Sequence, residues 1–154
     1  MNKVFYWSPF ISKVATVKSV LNSAEAINRS FKKNNFKAYI IDAVHEWKDF
    51  EDEIKEKKIE LIYLNKNSIF NSYKKEGFIR SRLAYLYVFF KSFFPLVKIL
   101  QEKKPNYFVI HLITSLPLFL FIFKNFETKL ILRISGLPKM TLFRKLLWKL
   151  ASKN

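Results

Sequence analysis

Two polar islands interrupt apolar runs in this chain, and they hold the residues best able to do chemistry. The first is residues 8–14, with Ser8, Ser12 and Lys13. The second is residues 111–115, where His111 ends the apolar run 107–110 and Thr114 and Ser115 follow. A third break, Ser135-Gly136, closes the run 129–134. A neutral imidazole can donate to or accept from a sugar hydroxyl or a phosphate. A histidine that ends an apolar strand can equally be a hydrogen-bonded core residue, and spacing alone does not separate the two. Thr114 and Ser115 offer a helix N-cap, and Pro117 falls in the first turn of the helix they would open. That helix is expected to run to about Phe126.

Several other chemistries are excluded. With only two glycines, Gly77 and Gly136, the chain has neither GxGxxG nor a P-loop. It has no Cys, which removes disulfides, thiolate zinc sites and a cysteine nucleophile and fits a reducing compartment. His45 and His111 have no shared metal spacing, and Glu51-Asp52-Glu53 reads as a solvated helix face, so no metal and no cofactor is expected. Ser8, Ser12 and Ser135 lack a GxSxG elbow.

The elements that must position these residues alternate. Residues 3–7 read as a first strand. Val17, Val20, Leu21, Ala24, Ile27 and Phe31 recur at three- and four-residue spacing, which predicts a helix over 16–33. A second strand over 37–42 follows, then an acidic helix over 46–58 that shows Trp47, Phe50 and Ile54 to the core. A third strand spans 59–64, a polar loop 65–76, and a long helix 77–104, bent near Pro95. Strands over 107–110 and 129–134 come next, and a basic amphipathic helix over 141–152 closes the chain. This pattern predicts one α/β domain over 1–154. It is a Rossmann-like, doubly wound parallel sheet of about five strands with helices on both faces. The usual order, 3-2-1-4-5, sets the loop 8–14 opposite the loop 111–115 across a crevice at the switch point. The first ten residues lack an apolar leader core and a small-residue cleavage site, so no signal peptide is expected.

Charge points to the partner. The net charge is +16, and residues 61–154 carry 17 Lys and Arg against three acids. A surface so basic suits an anionic partner. No nucleic-acid recognition motif is present, so nucleic acid is not expected. The stretch 77–100 is rich in Phe and Tyr, and Arg80, Lys91 and Lys98 fall close to one face of its helix. Phe93 and Phe94 lie between those lysines. Arg144, Lys145 and Lys149 give the last helix a basic face. These residues are expected to touch an anionic membrane surface, although lysines snorkelling from an ordinary core helix would give the same pattern. The rival is a small basic integral or membrane-surface protein without a catalytic role. It would use the uncharged stretch 105–123 and the stretch 83–100 as spans. His111, Thr114, Ser115 and Pro117 interrupt the first of these, and two lysines enter the second.

The segments PNYFVIHLITSLPLFLF and KLILRISGLPKMTLFRKLLWKL, with the opening FYWSPFISKVATVKSVLNSAEAIN, resemble the N-terminal half of bacterial family 4 glycosyltransferases. These are retaining enzymes of the GT-B type. Where the family often has His-x-His, this chain has Val109 and His111. Where it often has Asp after a proline, this chain has Asn106. The family's glycine-rich first loop is replaced by residues 8–14.

The resemblance implies half of a GT-B fold, the acceptor side, without the donor-binding domain that carries the paired glutamates. The whole enzyme would move a hexose from a nucleotide sugar to a saccharide or lipid-linked acceptor in cell-envelope polysaccharide synthesis. The half alone would be inactive, as part of an incomplete or split enzyme whose other domain a separate chain could supply. By the same resemblance His111 would meet the transferred sugar, and Ser8, Ser12 and Lys13 would line the acceptor side; Thr114, in the same island as His111, is a further substrate-binding candidate. Ser135 and Gly136 would let backbone approach the ligand. No residue would be catalytic by itself. The expected location is cytoplasmic, peripheral at the inner face of the cell membrane.

Overall fold

The computed structural model describes residues 1–10, 15–30, 35–65, 78–134, 136 and 140–152. Five strands make one sheet: β1 Asn2–Trp7, β2 Phe36–Asp42, β3 Glu60–Tyr63, β4 Tyr107–Ile110 and β5 Lys129–Leu132. Their order is β3-β2-β1-β4-β5, and every neighbouring pair is parallel. The helices are α1 Thr16–Ser30, α2 Glu51–Glu56, α3 Phe78–Lys103, α4 Ser115–Phe123 and α5 Leu142–Ala151. This is the Rossmann-like α/β fold read from the sequence, with its switch point between β1 and β4.

Strand alternation divides the core in two. Val4 and Tyr6 of β1 face Val17, Val20, Leu21 and Ala24 of α1 and Ile54 of α2. Phe5 and Trp7 face Val88, Leu96 and Leu100 of α3 and Leu116, Leu120 and Phe121 of α4, with Ala151 of α5 in the same cluster. The helices therefore cover both faces. Each of these large apolar side chains contributes roughly 1.5–3 kcal/mol by leaving water. Pro95 sits inside α3 and removes a backbone donor there. Buried positions are Ala84, Val88, Ser92, Leu96 and Leu100, every fourth residue, with Val97 beside them, so one continuous buried stripe passes the proline.

Among the described residues five other than glycine are left-handed, and three of them sit in the same kind of place. Asn35, Lys58 and Lys104 each follow a helix and precede a strand, with φ of 55°, 53° and 42°. All three precede a strand at the amino edge of the sheet, and Lys58 and Lys104, just past the ends of α2 and α3, act in the manner of left-handed helix caps.

The structure corrects several boundaries. Residues 46–58 do not form one helix. Glu46 folds back so that its carboxyl oxygens accept from the N–H groups of Ala43 (3.1 Å) and Val44 (2.7 Å). The chain then makes a single 3-10 turn, Lys48–Phe50, before α2 begins. Trp47 and Ile54 are buried as expected, and Phe50 is half-buried. Helix α4 stops at Phe123 because Lys124 turns extended to enter β5; Phe126 packs its ring on Phe121 at 4.8 Å. Thr114 does not cap α4 with its hydroxyl, since its backbone is already helical (φ −70°, ψ −19°). Thr141 does cap α5, accepting from the N–H of Arg144. The uncharged stretch 105–123 is β4 followed by the nine-residue α4 and not one continuous helix. The end of the first predicted helix, 31–33, and residues 66–76 of the polar loop lie outside the described residues.

Candidate functional site

Strand register builds the site. Trp7 pairs with Ile41 on one side and Ile110 on the other, Ile110 pairs with Leu132, and Asp42 pairs with Tyr63. The next residue along β1, β2, β4 and β5 therefore completes a row that crosses the whole sheet: Tyr63, Asp42, Ser8, His111, Arg133. Backbone bonds carry the pairing into this row, from His111 N–H to the Trp7 carbonyl and from Arg133 N–H to the Ile110 carbonyl, both 2.9 Å. Neighbouring strands lie about 4.8 Å apart. The preceding row, with Trp7, Ile41, Ile110 and Leu132, faces α3 and α4. The polar row consequently faces α1 and α2, at the carboxyl edge where parallel sheets bind ligands.

The centre of this row is buried and unpaired. Ser8 and Asp42 are 1% exposed and His111 is 7% exposed. Neither Ser8 Oγ nor either ring nitrogen of His111 has a hydrogen-bond partner. Close by in the chain, Trp47 Nε1 and His45 Nε2 are also buried without partners. Folded proteins pair nearly all such groups, and each one left unpaired costs roughly 1–3 kcal/mol. Several together on one sheet edge supply hydroxyl, imidazole and carboxylate groups that a polyhydroxylated ligand can satisfy at once. Ser8 and His111 do not bond each other, so this is not an activated-serine pair.

The two ends of the row differ in charge. On the β2 side, Glu46 shares a hydrogen bond with the Asp42 carboxyl, which no other donor reaches. Burial, and then the Asp42 charge, pushes the Glu46 carboxyl well above its usual range, so Glu46 holds the proton. Beyond it Tyr63 donates to Glu51 at 3.3 Å and lies against the His45 ring at 5.4 Å. On the β5 side, the Arg133 guanidinium donates to Ser19 Oγ of α1 at 2.8 Å. Burial, and then the Arg133 charge, holds the His111 imidazole below its ordinary value, so it is neutral at pH 7.

Backbone strain also gathers here. The remaining two left-handed residues are His45 (φ 63°), after β2, and Ile113 (φ 47°), after β4. A β-branched residue rarely adopts this region. The Ile113 carbonyl accepts from Trp7 Nε1 at 3.1 Å, which ties the His111 loop to β1. Strain of this kind concentrates at binding sites.

Of the residues predicted from sequence, Ser8 and His111 come together. Thr114 is half-buried beside them in the chain. Gly136 has φ 87°, which requires glycine, although nothing lies within 4 Å of where a Cβ would stand. Ser12, Lys13 and Ser135 lie outside the described residues. Sequence reasoning missed Asp42, Glu46, Tyr63 and Arg133. The signal was available: Asp42 and Arg133 are the polar residues on which apolar strand patterns end, as His111 is.

The opposite face carries an aromatic surface. Phe94 is 78% exposed and Phe123 is 70% exposed, with Leu83, Leu86 and Phe90 also exposed. Phe93 is half-buried against Phe119, and Phe119 packs on Phe123 at 4.6 Å, so the surface runs from α3 onto α4. Lys91 and Lys98 are exposed on α3. On α5, Lys145 and Lys149 are exposed and Arg144 is half-buried, while Leu142, Phe143 and Leu146 point outward. The side chain of Arg80 lies outside the described residues. One stretch, Arg82–Lys103, is long and apolar enough to cross a membrane, and a third of it is buried inside the fold. A cavity of about 450 Å³ between β5 and α5, lined by Leu118, Leu130, Leu132 and Trp148, also lies on this side, away from the polar row.

Fold and row together define a Rossmann-like domain with a candidate site at its switch point. No protein-family model matches the chain, and neither does any curated protein or solved structure.

Proposed function

We propose that this chain is the acceptor-side domain of a GT-B-type glycosyltransferase working at an anionic membrane surface. The observation that carries the reading is the buried set Ser8, Asp42 and His111 at the switch point of the sheet, in which Ser8 and His111 have no hydrogen-bond partner. Saccharides present many hydroxyls that both donate and accept, and these three side chains offer an acceptor, an amphoteric hydroxyl and a neutral imidazole. Ser8 and His111 are also residues to which the family resemblance gives sugar-side roles. The exposed aromatic surface beside Lys91 and Lys98 suits an enzyme whose acceptor is held in a membrane. Peripheral contact fits better than a span, because α3 contributes Val88, Leu96 and Leu100 to the core against the sheet.

In this reading the nucleotide sugar is held by a second, donor-binding domain, so the purified chain alone gives no sugar transfer. Transfer appears when such a domain is supplied. His111→Ala then lowers the rate by about tenfold, the worth of one good hydrogen bond to the sugar, and leaves the urea unfolding midpoint within error. Turnover by the isolated chain would end the half-enzyme reading. Loss of folding in His111→Ala, with no separate effect on transfer, would return His111 to an ordinary core role.

A further inference from the structure

Arg133 and His111 form a charged end to a row that is otherwise built for hydroxyls. We propose that these two side chains hold a phosphate group, and that the ligand of the row is a phosphorylated sugar with its ring toward Ser8 and Asp42 and its phosphate toward β5. The inference deepens the acceptor-domain reading and rests on it for the sugar part only.

Three independent features converge. Register sets His111 and Arg133 side by side on adjacent strands, facing the same way. Among the described residues Arg133 has no carboxylate partner, and its one bond is to the neutral hydroxyl of Ser19. A guanidinium presents five donors in a planar fork that matches phosphate oxygens two at a time, so most of that capacity is open. His111 is more than nine-tenths buried with both ring nitrogens unpaired, and one of them carries a proton it can donate. The opposite end of the row, the Asp42–Glu46 pair, repels an anion and accepts from hydroxyls. The row is thus polar in a defined sense, anion at β5 and hydroxyls at β1 and β2. Ser19 and Ser23 add hydroxyls on α1; Arg133 bonds the first and Tyr6 the second.

The chain contains two histidines, so its imidazole spectrum is simple: His111 is the reporter and His45 the internal control. The experiment titrates the full chain with inorganic phosphate, a hexose 1-phosphate, the parent hexose and a nucleoside diphosphate, following both rings by NMR at fixed ionic strength. With inorganic phosphate the expected result is a saturable shift of His111 and not of His45. Hexose 1-phosphate should bind more tightly than phosphate or hexose alone. Arg133→Gln weakens the phosphate effect about tenfold or more, and Arg133→Lys, which keeps the charge but loses the fork, weakens it less. Lys124→Gln, at the far end of α4, leaves it unchanged. Equal shifts at both histidines, or shifts indifferent to Arg133→Gln, would mean diffuse attraction of anions to a +16 chain and would overturn the phosphate site. A nucleoside diphosphate that binds more tightly than hexose 1-phosphate would overturn the sugar-phosphate assignment in favour of the donor nucleotide. None of these arms uses a transfer assay, so failure here is separable from failure of the proposed reaction.

Discussion

Two tryptophans offer a controlled measurement of what holds the His111 loop. Trp7 and Trp47 are both 0% exposed. Trp7 Nε1 donates to the Ile113 carbonyl at 3.1 Å, whereas Trp47 Nε1 is buried without a partner. Replacing either with Phe removes the same atoms, so the transfer and cavity losses are similar, on the order of 1–3 kcal/mol. The polar terms have opposite sign. Trp7→Phe leaves the Ile113 carbonyl without its donor, which costs a further 1–3 kcal/mol or so, and it frees a strained left-handed isoleucine. Trp47→Phe deletes an unpaired buried N–H and recovers part of a comparable penalty. Trp7→Phe is therefore expected to be less stable than Trp47→Phe by about 2 kcal/mol or more, read from urea midpoints at a common slope. Equal losses in the two variants, or a greater loss in Trp47→Phe, would refute the claim that this bond fixes the loop. The same variant should broaden or shift the His111 ring signals at pH 7, since the loop that begins at His111 loses its tie to β1.

Other outcomes follow from the same contacts. Because His111 is held below its ordinary value of 6.5, the unfolded chain takes up a proton before the native one as pH falls; stability should drop as pH goes below about 6.5, and His111→Gln should remove that part of the drop in urea midpoints between pH 7.5 and 5.5. Glu46 has the opposite sign: its native value is raised above 4.5, so the unfolded chain ionises first as pH rises, and stability from this group falls from about pH 4.5 upward. Glu46→Gln removes the titration while its single amide oxygen can keep only one of the bonds from Ala43 and Val44, so it should flatten that fall and lower stability at every pH. Phe90→Ser with Phe94→Ser should change folding stability by less than about 0.5 kcal/mol, as exposed positions do. The pair should cut co-sedimentation with anionic vesicles by at least about tenfold, since each phenyl that enters the lipid contributes up to roughly 1.5–3 kcal/mol. Binding that survives the double substitution and still releases in salt would assign the contact to lysines alone.

Strand positions and the burial of Val17, Val20, Leu21 and Ala24 were legible because hydrophobic period is a local signal, whereas the sheet order came from the usual order of the fold class and not from the residues. Tyr107–Ile110 matches its predicted bounds, since Pro105 and His111 frame it. What could not be read was set by contacts distant in sequence. The helix over 46–58 failed because Glu46 is recruited by backbone N–H groups left open where β2 ends, an effect that outweighs its good helix propensity. Thr114 looked like a cap because Thr favours caps, but the strained Ile113 delivers the chain to α4 already helical. The row itself was half visible. Ser8 and His111 stood out as polar residues after apolar runs, while Asp42 passed as an ordinary strand end and Arg133 as a residue within the strand 129–134. Only register shows that the four occupy one level of the sheet.

The placement of the two surfaces constrains how such a domain can work. The polar row faces α1 and α2, and the aromatic surface lies on α3 and α4 across the sheet. A domain lying on a membrane through α3 and α4 therefore keeps the row on the face of the sheet turned away from that membrane. An acceptor anchored in the same membrane must reach the row around the carboxyl edge, past the loop from His111 to Thr114. That loop carries the strained Ile113 and its tie to Trp7. A fixed loop at this corner holds His111 in register whatever passes over it. Freeing it through Trp7→Phe should then weaken saccharide phosphate binding as well as stability, while vesicle binding through Phe90 and Phe94 stays unchanged. If vesicle binding fell in step with phosphate binding, the two surfaces would not be independent and the arrangement argued here would be wrong.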